Sequence, residues 1–146
     1  MMRYQKTVEK FEDLKYLELE KVTATKDEMF FHITDGRVFR LYHSQDCCED
    51  VNIEDITGDL EDLVGEVLMA TEAVGGADSL HPPPEGRGCD SYLWTFYRIG
   101  TVKGTVVVRW FGESNGYYSE GVSFEEVDHY IDEAGIRVEL VKPSTF

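Results

Sequence analysis

The chain has 146 residues, enough for one domain to bury a core without disulfide or metal staples, and its 42% hydrophobic and 29% charged content is ordinary for a globular protein. A formal net charge of −15 argues against duplex nucleic acid as a direct ligand, because phosphate binding needs clustered Lys and Arg. No apolar run approaches the ~18 residues of a membrane span and the start MMRYQKTVEKFED lacks a signal-peptide core, so a cytoplasmic location is expected.

Residues 8–16 place Phe11 and Leu14 three apart among charges, which suits a short helical turn. YLELEKVTAT (16–25) then reads as a strand with a polar outer face. The runs 29–33 and 38–42 flank Asp35-Gly36, a pair that supplies the positive φ of a tight hairpin turn. Val51 and Ile53 alternate with polar residues and suit a short strand. Leu60, Leu63 and Val64 share one helical face before a stop at Gly65.

Residues 66–74 fit a strand better than a helix, since Val, Leu and Met follow a glycine. GGADSLHPPPEGRGCD (75–90) is the one obvious loop, because three consecutive prolines cannot donate to a ladder. YLWTFYRI and TVVVRWF form a second hairpin across residues 100–104. Tyr92, Trp94 and Phe96 point one way; Leu93, Tyr97 and Ile99 point the other. A strand apolar on both sides is expected to be central. Asn115-Gly116 is a further turn, followed by a strand in YYSEGV. Ser123 and Glu126 have capping-box spacing, so a helix is expected over 123–132 with Phe124, Val127 and Ile131 inward. A last strand is expected in IRVELV (136–141). The whole, residues 1–146, reads as a single α+β domain. It is built on a mainly antiparallel sheet of hairpins and a meander, with one or two short helices packed on it.

The chemistry-bearing stretch is YHSQDCCEDVNIEDITGDLEDLVG (42–65). Between Arg40 and Arg87 stand twelve Asp and Glu with no Lys or Arg, so 12 of the 15 net negative charges come from that third of the chain. Apolar residues thread between the acids, so the stretch is expected to dock on a core and present its acids outward, unlike a disordered acidic tail. Glu54, Asp55, Asp59 and Asp62 are the candidate binding residues of that face, and a protein with a basic surface is the candidate partner.

His43, Asp46, Cys47 and Cys48 offer imidazole, carboxylate and thiolate, a plausible donor set for zinc or a thiol enzyme. Vicinal cysteines point to opposite sides of a strand, however, and no second paired-ligand cluster exists. The leading expectation is therefore no cofactor, and a metal-dependent or thiol enzyme is the alternative. An odd cysteine count of three, with Cys89 the last, favours reduced thiols. DVNIEDITGDLE mimics an EF-hand at Asp50, Asn52 and Glu54 but has Asp55 where the sharp bend needs glycine, which rules that loop out. No nucleophile-elbow, Walker or dinucleotide pattern is present. Trp94, Tyr97, Arg98, Arg109 and Trp110 interleave aromatics with arginine, and core positions are expected for both tryptophans. Asn115, Tyr117 and Tyr118 beside a turn are candidates for ligand contact.

Two blocks, YHSQDCCEDVNIEDITGDLEDLVG and SYLWTFYRIGTVKGTVVVRWFGESNGYYSEGV, resemble a family of small proteins recurrent in tailed-phage and prophage genomes, over residues 35–124. The resemblance implies a phage source and one small domain, but supplies no catalytic residues. It points to an accessory protein that binds a host factor or small ligand in the host cytoplasm, with a virion component as a further alternative.

Overall fold

The computed structural model describes residues 5–45, 48–76, 82–84, 91–114 and 121–140. A 3-10 turn (Phe11–Leu14) leads into β1 (Leu19–Ala24), β2 (Glu28–Ile33), β3 (Val38–Tyr42) and β4 (Asp50–Thr57). A second 3-10 turn (Leu60–Leu63) precedes β5 (Ala70–Gly76), β6 (Ser91–Thr101) and β7 (Gly104–Ser114). The described chain closes with β8 (Ser123–Val127), β9 (His129–Ile131) and β10 (Arg137–Glu139). One sheet has the order β1-β2-β3-β8, the other β4-β7-β6-β5, and β9 and β10 form a separate hairpin. Every strand ladder is antiparallel.

The two four-stranded sheets share one core. Alternation along β2 and β3 sends Met29, Phe31, Ile33, Phe39 and Leu41 to the inner face. Across the sandwich stand Ile53, Tyr97, Ile99, Val106, Val108 and Trp110. Phe11 wedges between the sheets, with its ring centroid 6.0 Å from Phe31 and 4.8 Å from Tyr97, both edge-on. The Asp35-Gly36 hairpin forms as expected, with Gly36 at φ 101°, and the β6–β7 hairpin extends the expected runs to eleven residues each. The opposite orientations expected of Trp94 and Tyr97 are also found: Tyr97 joins the core, while Trp94 stacks near Phe96 and Phe111 on the outer face.

The expected helices are corrected. Among the described residues the only helical segments are the two four-residue 3-10 turns. Residues 123–127 pair with β3 instead, Tyr42 opposite Ser123 and Val38 opposite Val127. The spacing of Phe124, Val127 and Ile131 fitted a helix, but the open edge of β3 offers backbone bonds that a lone capping box cannot match. Phe124 then stacks on Phe39 at 5.4 Å, and Glu125 faces outward to bond Arg40 at 2.7 Å. Residues 129–131 likewise pair with 137–139, within the strand expected at the end of the chain. The 75–90 loop begins later than expected, since Gly75 and Gly76 still belong to β5. Of its remainder only residues 82–84 are described, and Pro82 accepts the Trp94 indole N–H at 2.9 Å. The Asn115-Gly116 turn and residues 117–120 lie outside the described residues.

Candidate functional site

The acidic stretch is an edge strand followed by a tight turn. Val51, Asn52 and Ile53 are buried, and a bulge at Ile53/Asp55 puts Glu54 and Asp55 at the surface in succession. Gly58 (φ 107°) turns the chain closely over Thr105. Asp59 then accepts from the Glu61 N–H at 3.0 Å and so caps the second 3-10 turn, while Leu63 is fully buried beneath it. Asp62 lies against the β6–β7 turn, where a Cβ on Gly104 would come within 2.6 Å of its carboxylate. The Thr101 hydroxyl donates to the Asp62 carbonyl.

The four candidate residues therefore come together along one edge and end of the second sheet, with unequal roles. Glu54 is exposed. Asp59 and Asp62 also shape the turn. Asp55 accepts from Arg109 Nε at 2.7 Å across the β4–β7 ladder, a half-exposed pair. Lys103 approaches as well, but its amine donates to the carbonyls of Val64 (2.5 Å) and Glu61 (3.3 Å) rather than to a carboxylate. A stretch free of cations in the sequence thus meets two of them in space.

His43 and Glu49 sit in the connection between β3 and β4. The His43 ring bonds the Gly121 carbonyl through Nδ1 at 2.7 Å and Glu49 Oε1 through Nε2 at 2.9 Å, with both side chains almost wholly buried. Both partners are acceptors, so the second contact requires a second proton, on the ring or on the carboxyl. Glu49 is one of the twelve acids, yet it faces inward and adds nothing to the acidic surface. Cys48 is disulfide-bonded, contrary to the expectation of reduced thiols. An odd cysteine count leaves one thiol over but does not prevent the fold from bringing two together. With both His43 nitrogens engaged and the Cys48 sulfur in a disulfide, neither can ligate zinc without giving up a bond it already has. Asp46 and Cys47 lie outside the described residues, and among the described residues no group of three His, Cys, Asp or Glu side chains is placed to hold a metal.

The aromatic candidates divide. Trp110 and Tyr97 are core residues, whereas Trp94, Arg98 and Arg109 share the outer face of the second sheet, with the Arg109 guanidinium 5.0 Å from the Trp94 ring. Asn115, Tyr117 and Tyr118 lie outside the described residues. The structure adds a feature not singled out from the sequence, a groove of about 400 Å³ on the outer face of the first sheet. Arg40 lies in it, 3.7 Å from the Tyr42 ring and bonded to Glu125, between walls that include Phe30 and Tyr130. Its residues come from β2, β3, β8 and β9, and no spacing in the chain brings them together.

An antiparallel two-sheet sandwich with a charged edge is the class of protein that fold and site define. A family model described as a domain of unknown function (DUF7448) matches residues 6–124, and the chain belongs to that family. The match ends within β8, before the β9–β10 hairpin. No curated protein and no solved structure matches the chain. No helix among the described residues is long and apolar enough to cross a membrane.

Proposed function

We propose that the protein is a non-enzymatic binding protein that engages a partner of basic surface through the acidic rim of β4 and the second 3-10 turn. One observation carries this reading. Glu54, Asp55, Asp59 and Glu61 are all exposed along a segment pinned by buried Val51, Ile53 and Leu63. The charge is held in a fixed place, as a docking surface requires, and does not trail in a tail. At physiological salt its attraction reaches about 8 Å, so the rim accelerates encounter and selects basic partners more than it adds affinity. The resemblance to small tailed-phage proteins supplies the setting, an accessory protein acting on a host protein in the host cytoplasm.

The test is affinity capture from host lysate, followed by association kinetics with the captured partner. Glu54, Glu61 and Glu66 are exposed and the side-chain cap of the second 3-10 turn is Asp59, so the triple reversal E54K/E61K/E66K alters charge without removing that cap. The expected result is an association rate reduced about tenfold at low salt, with a flatter salt dependence. A reversed protein that folds normally and associates at the wild-type rate overturns the reading.

A further inference from the structure

Three of the four edges of the sandwich are blunted. The β4 edge carries a bulge and the acids Asp50, Glu54 and Asp55, and its Ile53 N–H already donates to the Lys26 carbonyl at 2.7 Å. The β1 edge has a bulge between Leu19 and Lys21 and is met by the Gly65 N–H on the Leu19 carbonyl at 2.9 Å. The β8 edge is five residues long, with Glu125 and Glu126 exposed. Charges, bulges and brevity are the devices by which sheets avoid adding strands.

The β5 edge has no bulge and carries a single charge, Glu72. Its seven residues keep unbroken register with β6, and it contains no Lys or Pro. Glu72 is the only charged residue between Glu66 and Asp78, and it already pairs with Arg98 at 3.6 Å. Among the described residues, the chain itself covers only the start of this edge. Residues 16–18 run antiparallel beside 67–68, with Glu18 paired to Val67 and the Tyr16 N–H on the Leu68 carbonyl at 2.7 Å. Tyr16 then takes a left-handed conformation (φ 72°) and the chain leaves the edge into the first 3-10 turn. The last contact there among the described residues is the Thr71 hydroxyl on the Glu12 carbonyl at 2.9 Å. Thr71 is buried, whereas Glu72, Ala73, Val74 and Gly75 are all exposed, Val74 by 61%.

We propose that this edge pairs with the same edge of a second copy of the chain, antiparallel about a two-fold axis at Ala73, joining two four-stranded sheets into one of eight. The occupant follows from the edge's own sequence. About Ala73, Thr71 meets Gly75 and Glu72 meets Val74, so small residues face one another and no like charges stand opposite. A basic partner is drawn to the opposite side of this sheet, where the acids lie, and not to the edge where the charge is balanced. A single seven-residue pairing covers less than the ~1,200 Å² of a standard interface, so the dimer is weak and reversible.

Sedimentation equilibrium of the full chain tests this, at several concentrations and at low and high salt. The expected result is a monomer–dimer equilibrium that tightens as salt screens the repulsion between two chains of net charge −15. Binding at the acidic rim weakens with salt, so either proposal can fail without the other. V74E places Glu opposite Glu72 of the second copy twice per dimer and weakens it roughly two- to thirtyfold, whereas V74K places Lys there and tightens it. Circular dichroism melts establish that both variants fold, as the exposure of Val74 leads one to expect. A monomer throughout the concentration range, species larger than a dimer, or equal effects of V74E and V74K would overturn the proposal.

Discussion

Trp94 and Trp110 lie on neighbouring strands of one sheet and on opposite faces of it: Trp94 stands opposite Phe111 in the ladder, and Trp110 opposite Thr95. Trp110 is fully buried between the sheets, and its indole N–H meets no acceptor among the described residues. Trp94 is buried on the outer face and donates its N–H to Pro82.

The two tryptophans therefore respond differently to substitution. Trp110→Ala should cost about 3–5 kcal/mol, the range for emptying a core site of this size. Trp110→Phe should cost less than half as much, because the unpaired donor is removed along with the volume. Trp94→Phe should cost about 1–2 kcal/mol through the lost bond to Pro82 and the weaker stacking of Arg109. Urea denaturation of the three variants measures the order; a larger cost for Trp94→Phe than for Trp110→Ala would contradict the assigned faces.

Asp35 ties the first hairpin to the N-terminal segment through Arg37. The Arg37 Nη2 and Nε donate to Oδ2 at 2.9 and 3.1 Å, and the Arg37 N–H donates to Oδ1 at 3.0 Å. Arg37 itself is buried and donates Nη1 to the Lys6 carbonyl at 2.6 Å. Burial pushes the Asp35 carboxyl up, but the Arg37 side-chain and backbone bonds, with the guanidinium charge, together hold it below its ordinary 3.8. The folded state therefore binds this proton less readily than the unfolded chain. The stabilisation is present in full above the ordinary value and is lost as pH falls through the lowered one. Asp35→Asn should cost about 1–3 kcal/mol at pH 7 and flatten the loss of stability below pH 4, as read from denaturation midpoints across pH. An unchanged acid limb in the variant would show that Asp35 does not contribute to it.

Gly36 and Gly58 both have φ near +100°, yet their surroundings differ. A Cβ on Gly36 meets nothing within 4 Å, whereas one on Gly58 comes within 2.6 Å of the Thr105 carbonyl oxygen. Gly36→Ala should cost about 1–2 kcal/mol, the backbone strain alone. Gly58→Ala adds a clash with backbone that cannot move aside, so its melting temperature should fall further than that of Gly36→Ala. Equal shifts would mean that the turn before the second 3-10 segment relaxes freely.

What the sequence determined by itself was local. Asp35-Gly36 between two β-rich runs specified a hairpin, because the turn's φ requirement and the flanking alternation lie within a dozen residues. The same holds for the β6–β7 hairpin and for the opposed faces of Trp94 and Tyr97. The acidic composition of residues 42–65 was equally plain, since formal charge needs no structure. Tertiary structure decided the rest. The periodicity of residues 123–132 was compatible with a helix; the unpaired edge of β3 made it a strand, and that edge is some eighty positions away in the chain. Formal charge did not reveal that Arg109 would reach Asp55, that Lys103 would be held by turn carbonyls, or that Glu49 would turn inward to His43. Nor did the chain show which strand edge is left open among the described residues, because an edge is defined by the strands that are not beside it. Backbone pairing and burial are settled between segments remote in sequence, and their free energy depends on neighbours that no local pattern records.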